Sequence, residues 1–131
     1  MVVAAAGNEG DSTEHFYPAA YEGVLTVGSH DKNLELSDFS QQNGTADILA
    51  PGEDIWLASR NGKTYGARGT SFATAYVSAA AAGLWQVQPE LTAGEVRQII
   101  LGSARLVDDC LILDAEAALT WNLNDSAANG N

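Results

Sequence analysis

The run from about residue 70 to 87 constrains this chain more than any other segment, because it is long, helix-forming and free of charged residues. Ala73, Ala75, Val77, Ala79, Ala80, Ala81, Ala82 and Leu84 make it small or apolar nearly all round. Such a helix is expected to be buried on most sides, with alanines that let neighbouring strands approach closely. The turn before it, Gly69-Thr70-Ser71-Phe72-Ala73-Thr74, delivers a serine to its first turn. A serine there is an ordinary cap by one reading. By another it is an exposed nucleophile, close to backbone N–H groups and a dipole that favour developing negative charge. This motif alone leaves both readings open.

The rest of the chain punctuates short apolar runs with Gly, Pro and Asn, which predicts an α/β domain with strands near 2–6, 24–28, 47–50 and 55–58. Helices are expected at 70–87, at 93–103 with Thr92 as its cap, and at 114–121. Residues 122–131 are polar and rich in Gly, Asn and Ser, and read as a disordered tail to a single unit at 1–121. At 131 residues and 46% hydrophobic, the chain suffices for one domain and no second.

The apolar run Val2-Val3-Ala4-Ala5-Ala6 stops abruptly at Gly7-Asn8-Glu9-Gly10. Glycines let the chain turn and leave the Asn8 amide beyond the strand end. There it can donate to an oxyanion without adding charge, or simply be a turn asparagine.

Taken in order, these motifs resemble the C-terminal half of the catalytic domain of a subtilisin-like serine protease (subtilase). The resemblance runs through Val3-Ala4-Ala5-Ala6-Gly7-Asn8-Glu9-Gly10, Tyr17-Pro18-Ala19, Val24-Leu25-Thr26-Val27-Gly28, Ser37-Asp38-Phe39-Ser40, Ala50-Pro51-Gly52 and Gly69-Thr70-Ser71-Phe72-Ala73-Thr74. Several ordered motifs are far more specific than one. The resemblance implies a subtilisin-like fold, with a mainly parallel sheet flanked by helices and the N-terminal part of the domain absent. It implies a serine endopeptidase working through an acyl-enzyme. Ser71 would be the nucleophile, and Asn8 with the Ser71 N–H the oxyanion hole. Ala5, Ala6 and Gly7 would form a wall of the specificity pocket, with Gly69 and Thr70 also against substrate. The Tyr17–Pro18 bond, an aromatic–proline pair in a loop, is expected to be cis.

The same resemblance implies a gap. Family members carry the catalytic Asp and His upstream of the strand leading to Asn8, and these residues begin inside that strand. His15 and His30 lie in polar loops with no counterpart as a base. Serine needs a base at neutral pH, and within this family loss of nucleophile or base costs about a millionfold in turnover. The chain alone is therefore expected to be nearly inert, with the N-terminal half of the same domain as its partner and a protein or peptide as substrate. A non-catalytic pseudoprotease or peptide-binding module is the alternative.

Departures from the family pattern are Phe72 in place of the usual Met, Ala75-Tyr76 in place of Pro-His, and Arg68 where smaller polar residues are common. The segment 108–117 lacks the usual glycines, which predicts a looser end.

Seventeen acidic against six basic residues, a net charge of -11, argue against nucleic acid. No run reaches the ~18 residues of a membrane span. Cys110, the one cysteine, reads as a small core residue. No cofactor is indicated and no carboxylates are spaced for a metal, although relatives often bind structural calcium. Compartment is not readable here; the resemblance implies an extracellular setting.

Overall fold

In the computed structural model, which describes residues 1–121, the six residues of Leu25–His30 are all buried. A strand buried on both faces belongs inside a parallel sheet. It is β2, flanked by β1 (Val3–Ala5) and β3 (Ile48–Pro51), both parallel to it, with Val3 opposite Leu25 and Val27 opposite Ile48. A second, two-stranded sheet follows, β4 (Ile55–Ala58) antiparallel to β5 (Thr64–Ala67). Helices α1 (Thr70–Val87) and α2 (Ala93–Gly102) precede the hairpin β6 (Arg105–Val107) and β7 (Cys110–Ile112), and α3 (Ala115–Thr120) closes the described chain. The main sheet has the order β1-β2-β3-β7-β6, parallel except for β6.

The core lies between this sheet and the helices. Leu25, Val27, Ile48 and Ala50 meet Ala73, Val77, Ala81 and Leu84 of α1, with Val96, Ile99 and Ile100 of α2 and Ala118 of α3. The α1 positions recur every three or four residues and so form one stripe. Only that stripe is covered: Ala75, Tyr76, Ala79 and Ala82 on the other side are exposed. The expectation of burial on most sides is corrected to burial on one face.

Polar groups on β2 are matched within the fold, as burial demands. The Thr26 hydroxyl donates to the Ala19 carbonyl (2.7 Å), the Thr26 N–H donates to Asp47 Oδ2 (2.9 Å), and Ser29 Oγ lies 2.8 Å from Ser37 Oγ. At the start of α2, Thr92 Oγ1 accepts from the Glu95 N–H while the Glu95 carboxylate accepts from the Thr92 N–H. This reciprocal capping box is the cap anticipated at Thr92.

One further expectation changes, that for Cys110. Residues 108–117 hold the turn of the β6–β7 hairpin, β7 and the start of α3, with Asp108 and Asp109 at the turn at φ 47° and 64°. Two consecutive left-handed residues are what a tight hairpin turn of matching twist requires, and aspartate tolerates that region better than most residues. Cys110 stands half-buried on β7 beside that turn, outside the core. The Tyr17–Pro18 bond is cis. The expected tail at 122–131 lies outside the described residues. No helix among the described residues is long and apolar enough to cross a membrane.

Candidate active site

β1 carries Ala5 to the edge of the core, and Ala6 is fully buried, its N–H bonded to the Val27 carbonyl at 2.9 Å. Gly7 then turns at φ 120°, where a Cβ would lie 2.7 Å from the Phe16 ring. The backbone angle and the ring together admit only glycine, and the turn lifts Asn8 to the surface.

The loop after Asn8 is held from below by Gln41, a buried side chain that the sequence did not single out. Its Oε1 accepts from the Glu9 N–H (3.2 Å), and its Nε2 donates to the carbonyls of Ser12 (2.6 Å) and Glu14 (3.2 Å). Its own N–H donates to the Gly7 carbonyl at 3.1 Å. Glutamine is usually a surface residue, so nothing in the string Ser40-Gln41-Gln42 signals this role.

The serine approaches from the other direction. Gly69 donates to the Gly52 carbonyl (2.8 Å) and sits at φ 151°. A side chain there would point toward Asn8 Oδ1 and the Phe72 ring. Gly69 is the N-cap of α1 and has no side chain to cap it. The cap comes from 62 positions away: Asn8 Oδ1 accepts from the Thr70 N–H at 2.8 Å and from the Thr70 hydroxyl at 2.9 Å. The Thr70 hydroxyl also lies 3.3 Å from the Gly7 carbonyl; with one proton to give, it is best matched to the shorter contact.

This arrangement decides which donors remain. Since Oδ1 is the acceptor, the amide orientation of Asn8 follows from its partners, and its Nδ2 has no acceptor among the described residues. The Phe72 N–H is taken by the Gly69 carbonyl, whereas the Ser71 N–H has no acceptor among the described residues. Two donors are therefore unspent: the Ser71 N–H in the first turn of α1, and Nδ2 of the asparagine whose oxygen caps that helix. Ser71 is exposed and its hydroxyl makes no hydrogen bond there. α1 also has no acidic residue in its first turn, unlike α2 with Glu95 and α3 with Glu116. The positive end of its dipole is left uncompensated, which suits an anion.

Thr70 and Ala6 are enclosed, with no exposed surface; Gly69 is buried, and Ala5 and Gly7 are half-buried. Thr70 thus acts on Asn8 rather than presenting its side chain outward. His30, at the end of β2, is buried and its Nδ1 lies 2.6 Å from the Asp31 carbonyl; His15 is exposed. Neither hydrogen-bonds to Ser71. Among the described residues no group of three His, Cys, Asp or Glu is placed to hold a metal ion.

Comparison with known proteins places these features in context. The family model described as "Subtilase family" matches residues 1–129. The major intracellular serine protease of Bacillus subtilis (strain 168) is 40% identical over 127 residues, covering 93% of this chain and 39% of that protein. Subtilisin BL of Lederbergia lenta is 38% identical over 125 residues, covering 90% and 45%. Among solved structures, the patellamide maturation protease PatA superposes with a TM-score of 0.78 at 41% identity, over 90% of this chain and 49% of its own. The A-subunit of the AB5 toxin from E. coli superposes at 0.79 with 28% identity, over 92% and 50%. The chain spans less than half the length of these curated relatives.

Proposed function

The chain belongs to the subtilase family, and from that membership we propose that it is the nucleophile-bearing part of a serine endopeptidase. Ser71 Oγ attacks the scissile carbonyl of a protein or peptide, forming an acyl-enzyme and releasing the amine product; water then cleaves the ester. Asn8 Nδ2 and the Ser71 N–H stabilise the oxyanion in each step. The observation that carries this reading is the double hydrogen bond from Thr70 to Asn8 Oδ1, which commits the amide oxygen and leaves the Nδ2 donor without an acceptor among the described residues.

Deprotonating Ser71 needs a base. We propose that the imidazole and its orienting carboxylate come from the other half of the subtilase domain, docked on two surfaces. One is the outer edge of β1, next to exposed Met1 and Val2. The other is the uncovered side of α1 around Ala75, Tyr76 and Ala79. An unpaired edge strand seeks a partner, and small side chains permit close packing.

The test is labelling of Ser71 by a fluorophosphonate, with the chain alone and after addition of a subtilase N-terminal half. Labelling that appears only in the folded complex, and is absent in Ser71→Ala, supports the reading. A folded complex that never labels would indicate a binding module instead.

A further inference from the structure

Three of the six basic residues in this acidic chain fall within nine positions, Arg60, Lys63 and Arg68, and no acidic residue lies between Ile55 and Arg68. All three are exposed, and none makes an ion pair among the described residues, where the two ion pairs are Arg97 with Asp47 and Arg105 with Asp114. They decorate the β4–β5 hairpin, whose end leads directly into Gly69, Thr70 and Ser71.

The hairpin also carries apolar surface. Trp56 is 75% exposed and pairs with Gly66, beside which nothing lies within 4 Å of a Cβ position. Tyr65 is 53% exposed on the opposite face. Arg68 is anchored: its guanidinium sits 5.5 Å from the centroid of the Phe39 ring, and the Phe39 carbonyl in turn accepts from Gly10, two residues beyond Asn8. The cation nearest Ser71 in sequence is thereby held on a residue whose backbone is bonded to the loop after Asn8.

We propose that this hairpin is a substrate-selecting surface for extended peptides with acidic residues close to the scissile bond. The inference rests on Ser71 as nucleophile. Arg68 takes the carboxylate nearest the reacting carbonyl. Arg60 and Lys63 lie beyond the four paired residues of β5, about 13 Å along an extended chain, and so take carboxylates roughly four residues further out. Trp56 receives an apolar side chain between them, and the unpaired edges of the two-stranded sheet offer backbone hydrogen bonds to an extended segment. Glu53 and Asp54 share a groove of about 330 Å³ with Gly66, Ala67 and Arg68. They bound the positive region and disfavour a long polyanion, so the charge pattern fits a short acidic peptide rather than nucleic acid.

The experiment measures binding apart from chemistry. Fluorescein-labelled decapeptides, one with Asp and Glu flanking a central leucine and one with Asn and Gln in their place, are titrated by anisotropy against the Ser71→Ala chain. The expected result is binding of the acidic peptide on the order of tenfold tighter, since exposed ion pairs are each worth a factor of about two to five, and weakening as salt rises. Arg60→Glu/Lys63→Glu/Arg68→Glu should abolish the difference, and Arg68→Gln should reduce it, with circular dichroism confirming that both variants fold. Equal affinity for the two peptides, or discrimination unchanged by the triple variant, overturns the proposal. An oligonucleotide of equal charge binding as tightly as the acidic peptide also overturns it. Fluorophosphonate labelling of the wild-type complex reports separately on Ser71. Absent labelling with peptide discrimination intact removes the nucleophile and leaves the acidic-peptide surface standing.

Discussion

The Thr70 N–H donates to Asn8 Oδ1 at 2.8 Å, joining the end of β1 to the start of α1 across 62 positions of sequence. The bond does two things at once. It caps a helix whose own N-cap is a glycine, and it commits the amide oxygen so that only the amide nitrogen is left to meet a ligand. The two roles are separable by substitution.

Asn8→Asp keeps an acceptor for Thr70 but replaces the outward donor by a carboxylate oxygen. Asn8→Ala removes both. Thermal unfolding should show the aspartate variant close to wild type and the alanine variant destabilised by about 1 kcal/mol, the usual worth of a helix cap. Turnover by the reconstituted protease should fall in both by roughly 10²–10³, the loss found when one oxyanion donor is removed from this family's type member. An active aspartate variant would mean that Asn8 is only a cap.

Thr70→Val keeps shape and backbone donor but deletes the hydroxyl that donates to Asn8 Oδ1 at 2.9 Å. One hydrogen bond of about 1 kcal/mol should appear as a fall of roughly fivefold in kcat with KM unchanged, because the amide is less firmly aimed. Thr70→Ser should restore kcat. A change confined to KM would place Thr70 in substrate binding instead.

Gln41→Leu fills a similar volume yet leaves the Glu9 N–H and the carbonyls of Ser12 and Glu14 without their partner. The expected cost is about 1–3 kcal/mol in urea unfolding. Hydrogen exchange should rise first at the Glu9 amide. Unchanged protection there would show that water satisfies the loop as well as the glutamine does.

Acid should weaken the start of α2. The Thr92 N–H, and secondarily its hydroxyl, hold the Glu95 carboxyl below the ordinary glutamate range. A depressed folded-state pKa contributes stability that is present above the unfolded value and is lost as pH falls through the folded one. Asp31 behaves alike, its carboxylate accepting first from the Glu35 N–H and then from Asn33. Urea midpoints followed from neutral pH down through the carboxylate range should therefore fall more steeply in wild type than in Glu95→Gln. Parallel curves would mean that the cap does not distinguish the charged from the neutral side chain.

Much of the architecture was legible along the chain because its signals are local. The apolar run before Gly7, the Thr92 cap, and the alanine-rich helix after Gly69 depend on backbone preference and periodicity, which a sequence displays directly. The strands that escaped notice, Thr64–Ala67 and Arg105–Val107 with Cys110–Ile112, are short and lack apolar alternation. Their pairing comes from turns, one of them built on two aspartates in place of the glycine that would have announced it.

By itself the sequence determined four of the strands and the three helices in their order, the helix that carries Ser71 and the presence of Asn8 at a strand end, along with the family to which these motifs belong. Only the tertiary structure decided how those residues act on each other. Thr70 became an anchor for Asn8, Gln41 a support for the loop beside it, and one side of α1 was left uncovered. Hydrogen bonds between groups tens of positions apart depend on where packing brings their backbones. That is a property of the assembled sheet and helices, which no local pattern of residues encodes.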